Sequence, residues 1–354
     1  MKKLLIHVID SMKMGGAESL LVGCVEGLSN YNHIIITLNG GNDYCNRLTN
    51  IKIINVDFSS KTKFLFCIFK LRSIFNKYEP YAIHTHLFWS TILSRVASGN
   101  RFKLFTTYHS MLYDSENVTQ YSYKMQLIDR LTYKNCYYTI YVSNEIRRLI
   151  TKKIGINGNH RTLYNYVDDK FFDIERNNHK HKRPIRIVAV GNLRPEKNYK
   201  FIINIVSKFE TSVSLDIYGV GPLRGDLEEA ISSKSIKNVS LKGKSDDIEK
   251  ELVNYDLFLM GSTHEGFGIA LAEAMAVGMP VITADIKVFR EVTNNQAIYF
   301  GLNNGEFYKI LQKVINHEFN LSLIGSNMRK VSGRYKKSCY IKKINDIYNT
   351  PIRL

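Results

Sequence analysis

Two glutamates, Glu265 and Glu273, flank the segment of the sequence best suited to chemistry. Gly266 and Gly268 lie between them, after an apolar run typical of a strand and before one typical of a helix. Glycines there let the backbone approach a ligand closely, and the free N–H groups of a helix N-terminus attract anions. We therefore predict that a diphosphate binds here, that Glu265 meets a group beyond the phosphates, and that Glu273 accepts hydrogen bonds from a pair of sugar hydroxyls.

Glu273 stands in a nearly all-apolar run, Ala-Leu-Ala-Glu-Ala-Met-Ala, at residues 270–276. An unpaired carboxylate is costly to bury, so a residue of this type in such a helix favours a binding role. The alternative is that Glu265 caps the helix and Glu273 lies on the surface of an amphipathic helix.

Both halves of the chain alternate strand-like and helix-like segments, and these must position the two glutamates. The first half contains six strand-like segments, at 3–9, 33–38, 51–56, 82–86, 103–108 and 139–142. The second half contains five, at 185–190, 213–218, 239–242, 257–260 and 281–283. Helix-like segments between them imply right-handed crossovers and parallel sheets, which bind ligands at the carboxyl ends of their strands.

A polar, basic stretch separates the two halves, and we predict that residues 169–184 form a linker between domains at 1–168 and 185–334. His179 and His181 within it are weak candidates for metal ligands, because no cluster of carboxylates or cysteines accompanies them.

The composition is that of a globular protein: 354 residues, 44% hydrophobic and 23% charged, enough for two domains. The five scattered cysteines include no C-x-x-C pair, which argues against a disulfide framework or a zinc cluster. The first apolar run is broken too early for a signal peptide, and no run approaches the length of a membrane span. These features predict a cytoplasmic protein.

The net charge of +17 indicates an anionic partner: nucleic acid, a nucleotide diphosphate or an acidic membrane. No nucleic-acid-binding motif accompanies the charge, so we predict no nucleic-acid partner. A solvated basic surface is the alternative explanation.

The spacing Glu265-Gly-Phe-Gly-x4-Glu273 resembles the E-x7-E signature of the retaining, GT-B-fold glycosyltransferases of family 4, which include many lipopolysaccharide and capsule enzymes. Other segments resemble landmarks of that family in the same order: Gly15-Gly16-Ala17-Glu18, Thr107-Tyr108-His109, Gly191 to Asn198, Tyr218 to Pro222 and Gly278 to Ile282. The resemblance covers essentially the whole chain. It implies two Rossmann-like domains facing each other across a cleft, with a C-terminal helix at about 335–354 returning to the N-terminal domain.

The resemblance also implies roles for individual residues. Glu265 would contact hydroxyls of the donor sugar, and Glu273 would hold the ribose hydroxyls. Lys197, assisted by Arg194, would neutralise the departing diphosphate, where electrostatic stabilisation lowers the barrier most. This chain has Asn192 where the family often places an arginine, so Lys197 is the stronger candidate.

The resemblance implies that further residues would contact the same donor. Gly15 or Gly16 would offer a backbone N–H to the phosphates, and His109 would face the donor sugar. The alternative for His109 is a strand-end histidine with no role. The remaining donor-binding positions are those of the glycine loops, namely Gly191, Gly266, Phe267, Gly268 and Ile269.

No D-x-D triplet occurs in the sequence, whereas metal-dependent glycosyltransferases of the GT-A type use such a pair. We therefore predict metal-independent transfer with no cofactor. His84 and His86 share a face of one predicted strand, but no third metal ligand is evident nearby in the sequence. A strand-end pair near the acceptor cleft is the favoured interpretation.

The segment Lys61 to Lys77 interleaves phenylalanines with basic residues, as in helices that lie on anionic membranes. The alternative, a helix whose apolar stripe packs on the sheet, is favoured, and peripheral attachment to the inner face of the cell membrane is the second possibility.

The predicted function is retaining transfer of a sugar from a UDP- or GDP-sugar to a glycan or polyprenyl-diphosphate-linked acceptor in bacterial surface polysaccharide synthesis. The alternatives are a nucleotide-sugar epimerase and a non-catalytic partner subunit that binds nucleotide sugar. The epimerase lacks support because the Gly-Gly-Ala-Glu loop and the E-x7-E spacing occur together.

Overall fold

The computed structural model describes residues 2–111, 113, 120–176 and 184–352, with side chains left out at 120–122. His179 and His181 of the predicted linker lie outside these residues. The chain divides into two compact units, the first formed by Met1–Asn165 with Ser338–Leu354 and the second by Tyr166–Lys337.

The first unit is built on a parallel sheet of seven strands in the order β3-β2-β1-β4-β5-β6-β7. Its strands are β1 Lys3–Ile9, β2 Tyr31–Thr37, β3 Lys52–Asn55, β4 Ala82–His86, β5 Leu104–Tyr108, β6 Tyr138–Tyr141 and β7 His160–Thr162. Its first five helices are α1 Gly16–Gly27, α2 Phe64–Tyr78, α3 Phe88–Ser98, α4 Gln120–Thr132 and α5 Asn144–Ile150. Residues 5–9 of β1 are all buried, as expected for a parallel strand covered on both faces by helices.

The second unit repeats this plan with six parallel strands in the order β10-β9-β8-β11-β12-β13. Its strands are β8 Ile185–Val190, β9 Val213–Tyr218, β10 Val239–Gly243, β11 Leu257–Met260, β12 Val281–Ala284 and β13 Ile298–Phe300. Its helices are α6 Tyr199–Val206, α7 Arg224–Ser232, α8 Ile248–Leu252, α9 Ile269–Val277, α10 Lys287–Val292, α11 Asn304–Ile315 and α12 Leu321–Ser332. The predicted α/β fold, with two doubly wound Rossmann-like halves, is confirmed.

Strand order reverses in each sheet, between β1 and β4 in the first and between β8 and β11 in the second. The crevice at the carboxyl ends of the strands on either side of such a reversal is where doubly wound sheets bind their ligands. The loop after β11 is the one that carries Glu265.

The last helix, α13 Lys337–Tyr348, packs its end into the core of the first unit. Ile344, Ile347 and Tyr348 are fully buried in a cluster with Leu5 and Phe105. Together with Ile352, this helix therefore completes a core whose other buried members all lie at or before Leu163 in the sequence.

Helix α2 buries some of its apolar side chains against the sheet and leaves others exposed. Cys67, Ile68, Leu71 and Phe75 are buried against the sheet. Three large apolar side chains on the same helix are exposed by more than half: Leu65 (66%), Phe66 (58%) and Phe69 (63%). None of the helices in the described part of the chain is both long and apolar enough to cross a membrane.

Candidate functional site

The loop from β11 to α9 carries the two glutamates and begins the helix on glycine. Gly268 caps α9 in the left-handed region, with φ of +86°, and a side chain there would press on the ring of Phe289. Ile269 is the first residue of α9, and Glu273 follows in its second turn. Glycine at the cap therefore gives the helix N-terminus an open approach for an anion.

Glu265 is held by contacts to two other residues. The ammonium of Lys197 forms an ion pair with Glu265 Oε1, and the Ser262 hydroxyl donates to the same oxygen over 3.0 Å. The Lys197 and Glu265 side chains are 17% and 15% exposed, so both remain accessible to a ligand. The backbone N–H of Thr263 also donates to the carbonyl of Glu196 over 2.9 Å. The loop that carries Lys197 and the loop that carries Glu265 were predicted to form one site, and they lie in direct contact.

The glycine loops after β8 and β9 touch through their backbones. Gly219 has φ of +148°, and a Cβ added there would overlap the carbonyl oxygen of Gly191. The Tyr199 hydroxyl donates to that same oxygen over 3.2 Å. A Cβ at Gly191 would lie 3.3 Å from Lys197 Cε, so Gly191 borders the lysine that was assigned to the diphosphate.

Glu273 is half-buried and makes no hydrogen bond with the described residues. Burial raises the pKa of its carboxyl to about 7; nearby Lys170 opposes this shift, whereas Asp168 and Glu249 reinforce it. Lys170 is itself paired with Glu249 over 2.7 Å. An acceptor with these properties gains from neutral donors such as hydroxyls, which satisfy a carboxylate without burying another charge.

Two other residues of this unit were predicted to bind the donor, and neither takes part in the ion pair of Lys197 with Glu265. Arg194 is exposed at the start of the short helical turn Pro195–Lys197, and its side chain contacts no described partner. The Phe267 ring is buried and packs edge-to-face on Tyr335 at 5.1 Å, so only its backbone is placed to meet a ligand. Gly266 lies in the same loop and is half-buried.

The first unit contains the other predicted residues. Gly15 caps α1 and Gly16 begins it, and a Cβ at Gly15 would overlap the carboxylate of Glu18. His109 follows β5, with Nε2 at 3.2 Å from Nδ1 of His86, while its own Nδ1 is buried without a described partner. Burial lowers the pKa of His109 to about 4, so the ring is neutral near pH 7 and acts as a polar contact.

A buried network that the sequence did not reveal fixes the residue before His109. The Tyr108 hydroxyl donates to the Asp129 carboxylate over 2.8 Å, and so does that of Tyr113. Arg95 Nη1 pairs with the same carboxylate over 2.5 Å, with both side chains almost fully buried. A small cavity of about 30 Å³ lies beside this network, bordered by His109 and Asp129. No periodic pattern marks Asp129 as buried, so only its contacts identify it.

The paired histidines of β4 are joined by a third that the sequence did not indicate. His7 on β1 lies opposite His84 in the strand register, and His86 is two residues further along the same face. The pairing of distant strands creates this triplet, which spacing along the sequence cannot show.

Comparisons with known proteins agree with this arrangement. The family model described as "Glycosyltransferase Family 4" matches residues 14–171, and that described as "Glycosyl transferases group 1" matches residues 170–337. The O-antigen chain mannosyltransferase RfbU of Salmonella typhimurium is 24% identical over 249 residues, covering 63% of this chain and 67% of that protein.

A second relative is the GtfA subunit of the UDP-N-acetylglucosamine–peptide N-acetylglucosaminyltransferase of Streptococcus agalactiae, 31% identical over 117 residues. The match covers 32% of this chain and 23% of that relative, so the chain spans under a quarter of its length. The crystal structure of HepE from Anabaena in complex with UDP-glucose has a TM-score of 0.82 and 17% identity, covering 98% of this chain and 99% of that one. The two family models together span residues 14–337, and the fold matches that of HepE along nearly the whole chain, so the chain belongs to the GT-B-fold glycosyltransferases.

Proposed function

We propose that this glycosyltransferase moves a sugar, with retention of anomeric configuration, from a UDP-sugar (or GDP-sugar) to a glycan or polyprenyl-diphosphate-linked acceptor. The process served is bacterial surface polysaccharide synthesis. The observation that carries this proposal is the contact of Lys197 with Glu265 in the two loops beside the open N-terminus of α9. The O-antigen role of RfbU and the UDP-glucose bound to HepE support the same choice of donor and product.

The ion pair suggests how the site responds to the donor. Without ligand, Glu265 holds the Lys197 ammonium and Ser262 holds Glu265. When the diphosphate arrives, Lys197 turns to its oxygens and Glu265 turns to hydroxyls of the sugar. Positive charge then stands where the leaving group develops negative charge, which is the arrangement that stabilises the transition state. Glu273 accepts the ribose hydroxyls.

Metal-independent transfer is part of the proposal. The Lys197 ammonium and the N-terminus of α9 supply the charge that a divalent ion supplies elsewhere, and exposed Arg194 is free to add to it. Activity that disappears in EDTA and returns with Mn²⁺ would contradict this part.

Attachment to the inner face of the cell membrane is a further part of the proposal. Leu65, Phe66 and Phe69 project from α2, and Lys61 and Lys63 lie in the turn that precedes it. Apolar side chains bordered by lysines match the boundary of an anionic bilayer, and a lipid-linked acceptor is reached most readily from there.

The decisive experiment begins with thermal stabilisation by a panel of UDP- and GDP-sugars. A true donor at 100 times its Kd stabilises the folded protein by about 2.7 kcal/mol. The stabilising donor is then tested for transfer to lipid-linked acceptors, and NMR of the product reads the anomeric configuration. Glu265→Ala should abolish turnover.

The outcomes separate the competing functions. Conversion of the nucleotide sugar to its epimer without an acceptor indicates the epimerase, and stabilisation without turnover indicates a non-catalytic subunit. If no nucleotide sugar stabilises the protein, the proposed function is wrong.

A further inference from the structure

One face of the sheet in the first unit carries a continuous row of histidines. Ring centroids are 5.4 Å apart for His33 and His7, 5.8 Å for His7 and His86, 4.2 Å for His84 and His86, and 5.4 Å for His86 and His109. The row arises because His7 is aligned with His84 on the adjacent strand, and residues two apart along a strand share a face.

Three of these side chains converge. His7, His84 and His86 each offer one ring nitrogen, and the three nitrogens lie within 4.8 Å of one another. The residues are 0%, 1% and 4% exposed. Buried polar atoms normally have a partner, yet Nδ1 of His7 and Nε2 of His86 have none among the described residues.

The hydrogen bonds of His33 determine which form of His7 is present. His33 Nε2 lies 3.1 Å from the carbonyl oxygen of Leu28, which can only accept, so this nitrogen carries the proton. In the neutral ring Nδ1 of His33 is then an acceptor, and His7 Nε2, at 3.3 Å, must be the donor. His7 Nδ1 is therefore left as a bare, buried lone pair, which is the form that binds a metal.

The other two rings are able to complete the set. His86 Nδ1 contacts His109 Nε2 at 3.2 Å, and donation in that direction leaves the unpartnered Nε2 of His86 as a second lone pair. His84 lies between two hydroxyls, those of Tyr348 at 2.6 Å and Thr107 at 2.8 Å. Because a hydroxyl can donate or accept, His84 can release one of these partners and keep the other.

We propose that His7, His84 and His86 bind a divalent transition-metal ion of the zinc class. Three neutral imidazoles without a carboxylate suit Zn²⁺ and its neighbours, whereas Mg²⁺ and Ca²⁺ prefer oxygen ligands. His33 is a positioning residue, since it accepts the non-ligating N–H of His7 and so fixes the orientation of that ring, as acceptors beside metal-bound histidines do.

A bound ion has a defined consequence for His109. Ligation through His86 Nε2 places the remaining proton on His86 Nδ1, which donates to His109 Nε2. His109 Nδ1 is then the protonated nitrogen and a hydrogen-bond donor. The ion thus selects the tautomer of the residue assigned to the sugar, without being part of the diphosphate chemistry proposed above.

The test uses the full chain without a polyhistidine tag, in a Cys45→Ser/Cys339→Ser background that removes the two exposed thiols. After dialysis against a chelator, ZnCl2 is titrated by calorimetry without nucleotide, and CoCl2 is added to a second sample. We expect one Zn²⁺ per chain and the visible absorption of a Co²⁺ ion bound by nitrogen ligands. His7→Gln should weaken binding by more than about 100-fold, and His33→Phe by about 10–100-fold.

The control variant is His160→Gln, which changes an exposed histidine of the same unit and should bind Zn²⁺ as the parent does. Absence of saturable Zn²⁺ binding to the parent, or equal loss in His160→Gln and His7→Gln, overturns the proposal and leaves a hydrogen-bonded histidine row. If His7→Gln does not fold, His33→Phe decides the matter, because an unchanged Zn²⁺ affinity in that variant would overturn the proposed site. None of these measurements depends on the donor or on turnover, so the proposed function can fail without affecting this result.

Discussion

Lys197 and Glu265, 68 residues apart in the sequence, form an ion pair that joins two loops of the second unit. Ser262 donates to the same carboxylate oxygen, so Glu265 keeps a partner when the lysine leaves. This ion pair holds Lys197 close to where the diphosphate is proposed to bind. It also leaves Glu265 with a hydrogen-bond partner, so no carboxylate is buried unpaired.

The first prediction concerns this pair. Lys197→Ala and Glu265→Gln should each lower kcat/KM by about 10²–10³, as removal of a charge-stabilising group does in other enzymes. Because the two act together, the double variant should lose little more than either single one. Initial rates of transfer measure both effects.

Lys200→Ala is the matched control for the lysine. Lys200 lies three residues further on, is exposed and, among the residues that the structure describes, pairs only with exposed Asp226, so its loss should leave the rate unchanged. Equal losses in Lys197→Ala and Lys200→Ala would show that general positive charge, rather than the ion pair, matters.

The second prediction concerns Glu273, whose folded-state pKa is about 7 against an ordinary 4.5. Below pH 4.5 the carboxyl is neutral in folded and unfolded chains, and stability is unaffected. Between 4.5 and 7 the unfolded chain ionises first, so the folded state loses relative stability, and above pH 7 the full penalty is present. Glu273→Gln should therefore raise Tm by a few degrees at pH 8 and by less at pH 5.5.

The same substitution should weaken UDP binding by about 10–100-fold, because hydrogen bonds to a charged acceptor are lost. Calorimetric titration with UDP and thermal melts at the two pH values provide the measurements. Glu229→Gln, at an exposed position on α7, is the control and should change neither quantity. A Tm gain that is the same at both pH values would refute the ionisation argument.

The third prediction tests the contact of the glycine loops. Gly219→Ala forces a methyl group against the carbonyl of Gly191 in a backbone conformation that favours glycine. We expect a loss of more than about 1 kcal/mol in the free energy of unfolding, because the backbone must shift. Donor affinity should fall as well, since the loop beside Lys197 moves.

Gly225→Ala provides the contrast. Gly225 lies in α7, and a Cβ there meets no atom within 4 Å. Alanine should stabilise this helix by about 0.5–1 kcal/mol, and urea denaturation can compare the two variants directly. If both variants gain stability, the loops do not need the close approach.

The fourth prediction concerns the apolar face of α2, defined by Leu65, Phe66 and Phe69. Replacing all three by serine should reduce binding to phosphatidylglycerol vesicles by at least about tenfold, because each large apolar side chain contributes more than about 1 kcal/mol when it leaves water. Co-sedimentation with the vesicles measures this loss of binding. Comparing low and high salt measures the contribution of the lysines, because salt screens their charge.

Leu323→Ser is the control, since Leu323 is 56% exposed on α12 of the other unit. Unchanged sedimentation of the triple variant, or no binding of the parent to anionic vesicles, would remove membrane attachment from the proposed function.

The sequence was most informative for the short strands near the centre of each sheet. The bounds predicted for β1, β4, β8, β9 and β11 are those observed, because buried parallel strands are short apolar runs with clear ends. The strands β7 and β13 were not predicted, since each has three residues and the first is the polar run His-Arg-Thr. Their place in the sheet is decided by pairing with a neighbour.

The functional site, like the strands, could be predicted from the sequence only in part. Lys197 and Glu265 were predicted to act together because their loops resemble a known pattern, and the structure brings them together. The proximity of Lys170 to Glu273 was not predictable, because no motif links positions a hundred residues apart. His7 was missed for a related reason: its alignment with His84 follows from strand register, which depends on the whole sheet.

The burial of α13 in the first unit bears on the order in which the chain folds during synthesis. All residues of the second unit, Tyr166–Lys337, leave the ribosome before Ile344, Ile347 and Tyr348 are available to close the core around Leu5 and Phe105. The core of the first unit therefore stays incompletely packed until the second unit has been synthesised. Chaperones that bind exposed apolar surface would meet this protein through its first 165 residues, and removal of the last turns of α13 would prolong that encounter.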